Sequence, residues 1–156
     1  MSLSKITGQY HVVGYHLPIT PTNYTIELFQ KPSFDSSLVM ISRFDISHRD
    51  GCCIPFCCLF PKCSKRKEVR DHFLLEYEHE LILQSSTAFN GLITCLKKGK
   101  SFRIFWANSY LLLVNQKEIF VLSPTSDSPS SEERFLIKSA ISEIDFTLTS
   151  LPLSFS

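Results

Sequence analysis

Glycine is scarce in this chain, with five residues scattered singly through 156. That excludes a glycine-rich loop cradling phosphate and any collagen-like repeat. An excess of one charge is missing too. Sixteen Lys and Arg nearly cancel fifteen Asp and Glu, leaving a formal +1, so nucleic acid is not the expected partner. Long apolar runs are absent: the longest, 52–61, contains two prolines and is far short of the roughly 18 residues of a membrane span. Residues 1–9 are polar and show no basic start followed by an apolar run, so no secretory leader is read there. Ser2 excludes N-myristoylation, and 151–156 carry no prenylation cysteine. The expected location is cytoplasmic, with peripheral attachment to a membrane open to it.

Hydrophobic residues make up 44% and charged residues 20%, with 13 Phe among them. Such a chain can bury a core. One domain is expected over 1–150, carrying a cysteine-rich loop at 47–67 and a flexible Ser/Pro loop at 123–131, with a short tail at 151–156.

Tyr24, Ile26 and Leu28 alternate with Asn23, Thr25 and Glu27, the period of a half-buried strand. Segments 10–17 and 38–46 read as strands on either side. Segment 65–84 reads as one strand because five of the six odd positions from Phe73 to Leu83 are apolar, with His79 the sixth on that face, while Glu76, Glu78 and Glu80 hold even ones. A helix grouping Val69, Phe73, Tyr77 and Leu81 is the competing reading. Segments 101–107 and 110–114 are strand-like. Asn115, Gln116 and Lys117 form a turn, and 118–122 return. Ser130 with Glu133 three residues on predicts a capping box before a helix bearing Phe135, Leu136, Ala140, Ile141 and Ile144. The fold class expected is mainly β, with α+β the other class open: a small single-domain β-barrel or sandwich of six to seven strands with one C-terminal helix. The order of elements is similar to a pleckstrin-homology-type domain. This is an analogy of architecture, since no diagnostic motif accompanies it and Trp106 falls on a strand.

Five of the six cysteines crowd into 52–63. Disulfides that staple a fold join distant segments, so this cluster points to a reducing compartment. Cys52, Cys53, Cys57, Cys58 and Cys63 stand beside apolar and basic residues, the setting of S-palmitoylation. Ile54, Phe56, Leu59 and Phe60 could enter a membrane interface or meet a protein partner, while Lys62, Lys65, Arg66 and Lys67 face anionic head groups. A zinc set would be Cys53, Cys58, Cys63 and His72, but two well-spaced cysteine pairs are lacking. No metal or other cofactor is therefore expected. Packing of the cysteines as small hydrophobes is the third reading.

Around no cysteine does a histidine-containing arrangement suggest a nucleophile. The glutamates of 76–80 read as a solvated strand face. An enzyme is not expected, and no catalytic residue is assigned. Ser123 and Ser128, each before proline, are candidate phosphorylation sites ahead of the helix. Together these readings lead to a non-enzymatic adaptor, held peripherally on a membrane by its cysteine loop. The alternative is a soluble protein–protein interaction subunit whose loop is a partner surface or a zinc-stabilised knuckle. A protein partner is expected in either case.

Overall fold

The computed structural model describes residues 3–17, 22–32, 36–45, 66–77, 79–88, 94–95 and 100–155. Alternation of apolar and polar residues builds a meander of strands: β1 (Gly8–His16), β2 (Thr22–Gln30), β3 (Ser37–Asp45), β4 (Arg66–Glu76), β5 (Glu80–Ala88), a two-residue β6 (Thr94–Cys95), β7 (Ser101–Ala107), β8 (Tyr110–Val114) and β9 (Ile119–Ser123). Each of the eight long strands pairs antiparallel with its neighbours in the order β1-β2-β3-β4-β5-β7-β8-β9, and β9 returns to pair with β1. The result is a closed eight-stranded barrel, which removes the exposed edges of an open sheet. β6 flanks β5. A second short addition, β10 (Ser154–Phe155), flanks β1.

Inward positions make one core. Ile26 and Leu28, Leu38 and Met40, Leu81 and Leu83, Ile104, and Leu111 and Leu113 are buried in a single cluster. One end of this core is plugged. A 3-10 turn, Leu3–Lys5, carries Leu3 and then Ile6 into the same cluster, and the Tyr10 hydroxyl donates to the Ile6 carbonyl at 2.8 Å. Gly8, at φ +149°, lets the chain pass from plug to strand through a conformation that side chains rarely adopt.

A second core lies outside the barrel. Helix α1 (Ser131–Ile144) turns Ile137 and Ile141 onto Tyr110, Leu112, Val114, Ile119 and Val121. β8 and β9 are therefore buried on both faces, which explains their near-continuous apolar sequence. The expected capping box forms: Glu133 N donates to Ser130 Oγ at 3.2 Å, and Ser130 N donates to Glu133 Oε1 at 3.0 Å. Tyr110 Oη donates to Glu133 Oε2 at 2.6 Å, pinning the first turn of the helix to the barrel. Burial, then this bond, push the Tyr110 phenol up to about 12.

Mainly β with a C-terminal helix is the observed class, but the strand count exceeds the expected six to seven. The single strand expected over 65–84 is a hairpin, β4 and β5, whose last pair is Glu76 with Glu80. Tyr77 takes φ 52° there and is 84% exposed. His79, read as part of the apolar face, sits exposed in the same turn. The helix also departs from the pleckstrin-homology analogy, because it lies along the barrel wall over β8 and β9. Segment 151–155 is packed: Leu151, Leu153 and Phe155 join the outer core. Phe155 comes so close to β1 that a Cβ on Gly14 would lie 2.9 Å from its ring.

Candidate functional site

At the end opposite the plug the side chains leave space. A cavity of about 300 Å³ is walled by residues of six barrel strands and the segments leading into them. Its positions follow from the meander. Leu17 lies just past β1, Tyr24 early in β2, Phe44 late in β3, Val69 and Asp71 early in β4, Ser86 late in β5, Lys100 just before β7 and Glu118 just before β9. All belong to one mouth of the barrel.

Five aromatic rings share the lining with Leu17, Met40, Val69 and Leu83. Tyr24 stacks on Phe44 with centroids 4.9 Å apart and meets Phe120 edge-on at 5.9 Å. Phe120 meets Phe102, and Phe102 meets Phe73, each edge-on at 5.9 Å. The five rings form one continuous chain in the offset and edge-to-face geometries that aromatic pairs favour. Polar groups interrupt them. Ser42 is buried beside Tyr24, and Ser86, Asp71 and Glu118 share the lining. Lys100 Nζ lies 2.9 Å from Glu118 Oε1 and 5.4 Å from the centre of the Phe102 ring. Burial raises the Tyr24 phenol above its ordinary value; the Ser42 hydrogen bond opposes this, and the charges of Asp71 and Glu118 add to it. A broader depression of about 670 Å³, lined by Arg103, Asn115 and Asp145 among others, lacks the ring-lined walls.

Of the residues singled out from sequence, Cys52, Cys53, Cys57, Cys58, Cys63, Ile54, Phe56, Leu59, Phe60, Lys62 and Lys65 lie outside the described residues. Arg66 and Lys67 begin β4 and are exposed. Arg66 Nη1 lies 3.4 Å from Asp45 Oδ1 and donates to the Asn23 carbonyl at 3.3 Å. This ties together the points where the chain leaves β3 and enters β4. His72 pairs with Val39 and Ser85 across the strands, and among the described residues its buried Nδ1 has no hydrogen-bond partner. Burial, then the charge of Lys31, depress its pKa. Among the described residues no group of three or more His, Cys, Asp or Glu could hold a metal, and no helix is long and apolar enough to cross a membrane.

The two phosphorylation candidates differ. Ser123 ends β9, is 5% exposed, and its Oγ accepts from Thr125 N at 3.2 Å. Ser128 is exposed, and Arg134 Nη2 donates to its Oγ at 3.0 Å. Arg134 Nε also donates to the Pro129 carbonyl, fastening a segment that composition alone reads as loose.

The cavity residues were not singled out from sequence. A signal for them exists: polar residues on inward positions, with Ser42 between Met40 and Phe44, and Asp71 between Val69 and Phe73. No protein-family model matches the chain, and no curated protein matches its sequence.

Proposed function

We propose that the protein binds a small, largely apolar molecule in the open end of its barrel, without transforming it. One observation carries this reading: a closed barrel, plugged at one end by Leu3 and Ile6, keeps a space of about 300 Å³ walled by five touching aromatic rings at the other. Eight strands make a barrel whose interior is either filled by side chains or holds one small ligand. This barrel divides the two outcomes between its ends. Pockets for small molecules run from roughly 300 Å³ upward, with mostly apolar walls and a few convergent polar groups. The cavity is at the lower limit, which favours a compact, flat ligand over a long acyl chain.

Titration with N-phenyl-1-naphthylamine, an uncharged probe that fluoresces in apolar surroundings, tests this. Saturable one-to-one binding is expected, and it should be lost in Ser86→Phe, which fills the cavity from β5. Probe binding untouched by that substitution, or no saturable binding at all, overturns the reading.

A second reading has its own support at the same mouth. Asp45 and Arg66 pair across β3 and β4, and the segment between them contains the five clustered cysteines. Acylation there, together with Lys62, Lys65, Arg66 and Lys67 against anionic lipid, would make the protein a peripheral membrane adaptor. Replacing all five cysteines with serine should release it from the membrane fraction, and unchanged partitioning removes this reading. One equivalent of tightly held zinc would favour the interaction-subunit alternative, with Cys53, Cys58, Cys63 and His72 as ligands.

A further inference from the structure

The outer core is incompletely closed. After α1 a 3-10 turn, Phe146–Ser150, reverses the chain, and residues 151–155 run back past the helix to β1. This strap is tied at both ends. Leu151 N donates to the Leu148 carbonyl at 3.1 Å, and Phe155 pairs with Gly14 on β1. Between them His16 Nδ1 meets the Pro152 carbonyl at 2.8 Å. Held to the barrel in this way, the strap stands off the helix and leaves a crevice of about 380 Å³ walled by Ile119, Ile141, Leu148, Leu151 and Leu153. Ser150 is also in the wall, but its hydroxyl donates to the Thr147 carbonyl at 3.0 Å. The crevice is across the sheet from the barrel cavity: on β9 Ile119 lines the one, while Glu118 and Phe120 line the other. One ammonium stands at its edge. Lys138 lines the crevice and is exposed. Its neighbours one helical turn away are Arg134, Phe135, Ile141 and Ser142, so no carboxylate of α1 shares its face. Among the described residues it forms no ion pair elsewhere. Its Nζ lies 6.0 Å from the centre of the Phe155 ring, and Arg134 Cζ lies 4.8 Å from the same ring. Arg134 itself donates to two neutral acceptors, Ser128 Oγ and the Pro129 carbonyl. Two cations thus gather at one ring, on the rim of an apolar space. Apolar walls with a few placed polar groups are the form of a small-molecule site.

We infer that this crevice is a second ligand site, separate from the barrel cavity, and that it takes a compact aliphatic carboxylate. The chain lies against Ile141, Leu151 and Leu153, and the carboxylate is directed to Lys138. Branched aliphatic walls, in place of flat rings, suit a flexible chain. The same chain ending in a hydroxyl gains the apolar burial alone. Ending in an ammonium, it meets Lys138 and Arg134 with like charge.

Octanoate, 1-octanol and octylammonium share a chain length and differ in head group. Each is titrated into the intact protein and followed by methyl-resolved NMR. Octanoate should bind saturably and about tenfold tighter than 1-octanol, with octylammonium weakest. It should move the methyl signals of Ile141, Leu151 and Leu153. Lys138→Gln alters an exposed side chain and should bring octanoate to within about threefold of 1-octanol, with 1-octanol unchanged. Lys138→Arg should keep the preference. Octylammonium equal to or tighter than octanoate, no preference for octanoate over 1-octanol, the full preference retained in Lys138→Gln, or no saturable binding overturns the inference. Signals that move only at Leu17, Val69 and Leu83 put octanoate in the barrel cavity and overturn it as well. None of these results bears on N-phenyl-1-naphthylamine in the barrel, so the two sites stand or fall separately.

Discussion

The two ends of the barrel are made from the same eight strands with the same inward alternation, yet one is filled and the other is hollow. At the plugged end the inward residues are mainly aliphatic, with Tyr10 bonded through its hydroxyl to the Ile6 carbonyl. Leu28, Leu38, Ile104 and Leu111 close on Leu3 and Ile6, all essentially without solvent contact. Branched aliphatic side chains interdigitate and leave no room. At the other end flat rings and short or charged groups stand among Leu17, Met40, Val69 and Leu83. Rings in edge contact stand as walls, and Asp71 and Glu118 cannot be enclosed by hydrocarbon at acceptable cost. Where backbone geometry is shared, side-chain shape and polarity decide which part of a barrel is scaffold and which part is site.

Paired substitutions can break that division. The largest effect is expected from Leu111→Ala at the plugged end, where a fully buried side chain is removed from a filled layer. Urea unfolding should show a loss of about 3 kcal/mol, with probe affinity per folded molecule unchanged. Phe44→Ala at the open end should do the reverse. It should cost about 1–2 kcal/mol, less than a ring in a filled core because this one lines existing space, and it should weaken N-phenyl-1-naphthylamine at least about fivefold. If the two variants behave alike in both measurements, the ends are not distinct in role.

The smallest effect concerns the helix that braces the wall from outside. Hydrogen bonds from Tyr110, then from Ser130, hold the Glu133 carboxyl below its ordinary value. A depressed folded-state value means stability that is present above the unfolded value of about 4.5 and lost as pH falls through the lower folded one. Thermal melts from neutral pH into that acid range should therefore decline less steeply for Glu133→Gln than for the parent, and ligand binding at neutral pH should not change. Equal slopes would remove Glu133 from the acid response.

Legibility from sequence followed the range of the interactions. The turn at Asn115 was readable because it is local: its Oδ1 accepts from Lys117 N at 2.8 Å and from Glu118 N at 2.7 Å. The Ser130–Glu133 cap was readable for the same reason. The hairpin of β4 and β5 was hidden by parity. Leu75 pairs with Leu81 and Glu76 with Glu80, so a three-residue turn keeps inward residues on odd numbers, and a period of two runs through the reversal. The cavity was hidden by distance. Its rings come from β2, β3, β4, β7 and β9, and no window of the chain contains them together. The polar residues that mark it read in isolation as interruptions of good strands.

β1 pairs with β2 through Gly8 to His11 and with β9 through His11 to His16, changing its alignment between Val12 and Gly14. The strand that starts the barrel is thus also the one that completes it, and its second partner is synthesised more than three-quarters of the way along the chain. Pairings so remote in sequence form slowly and late. Until that last zipper closes, the ring-lined chamber has no continuous wall, so competence to bind should appear only in the final kinetic phase of refolding, after most of the sheet signal has been recovered.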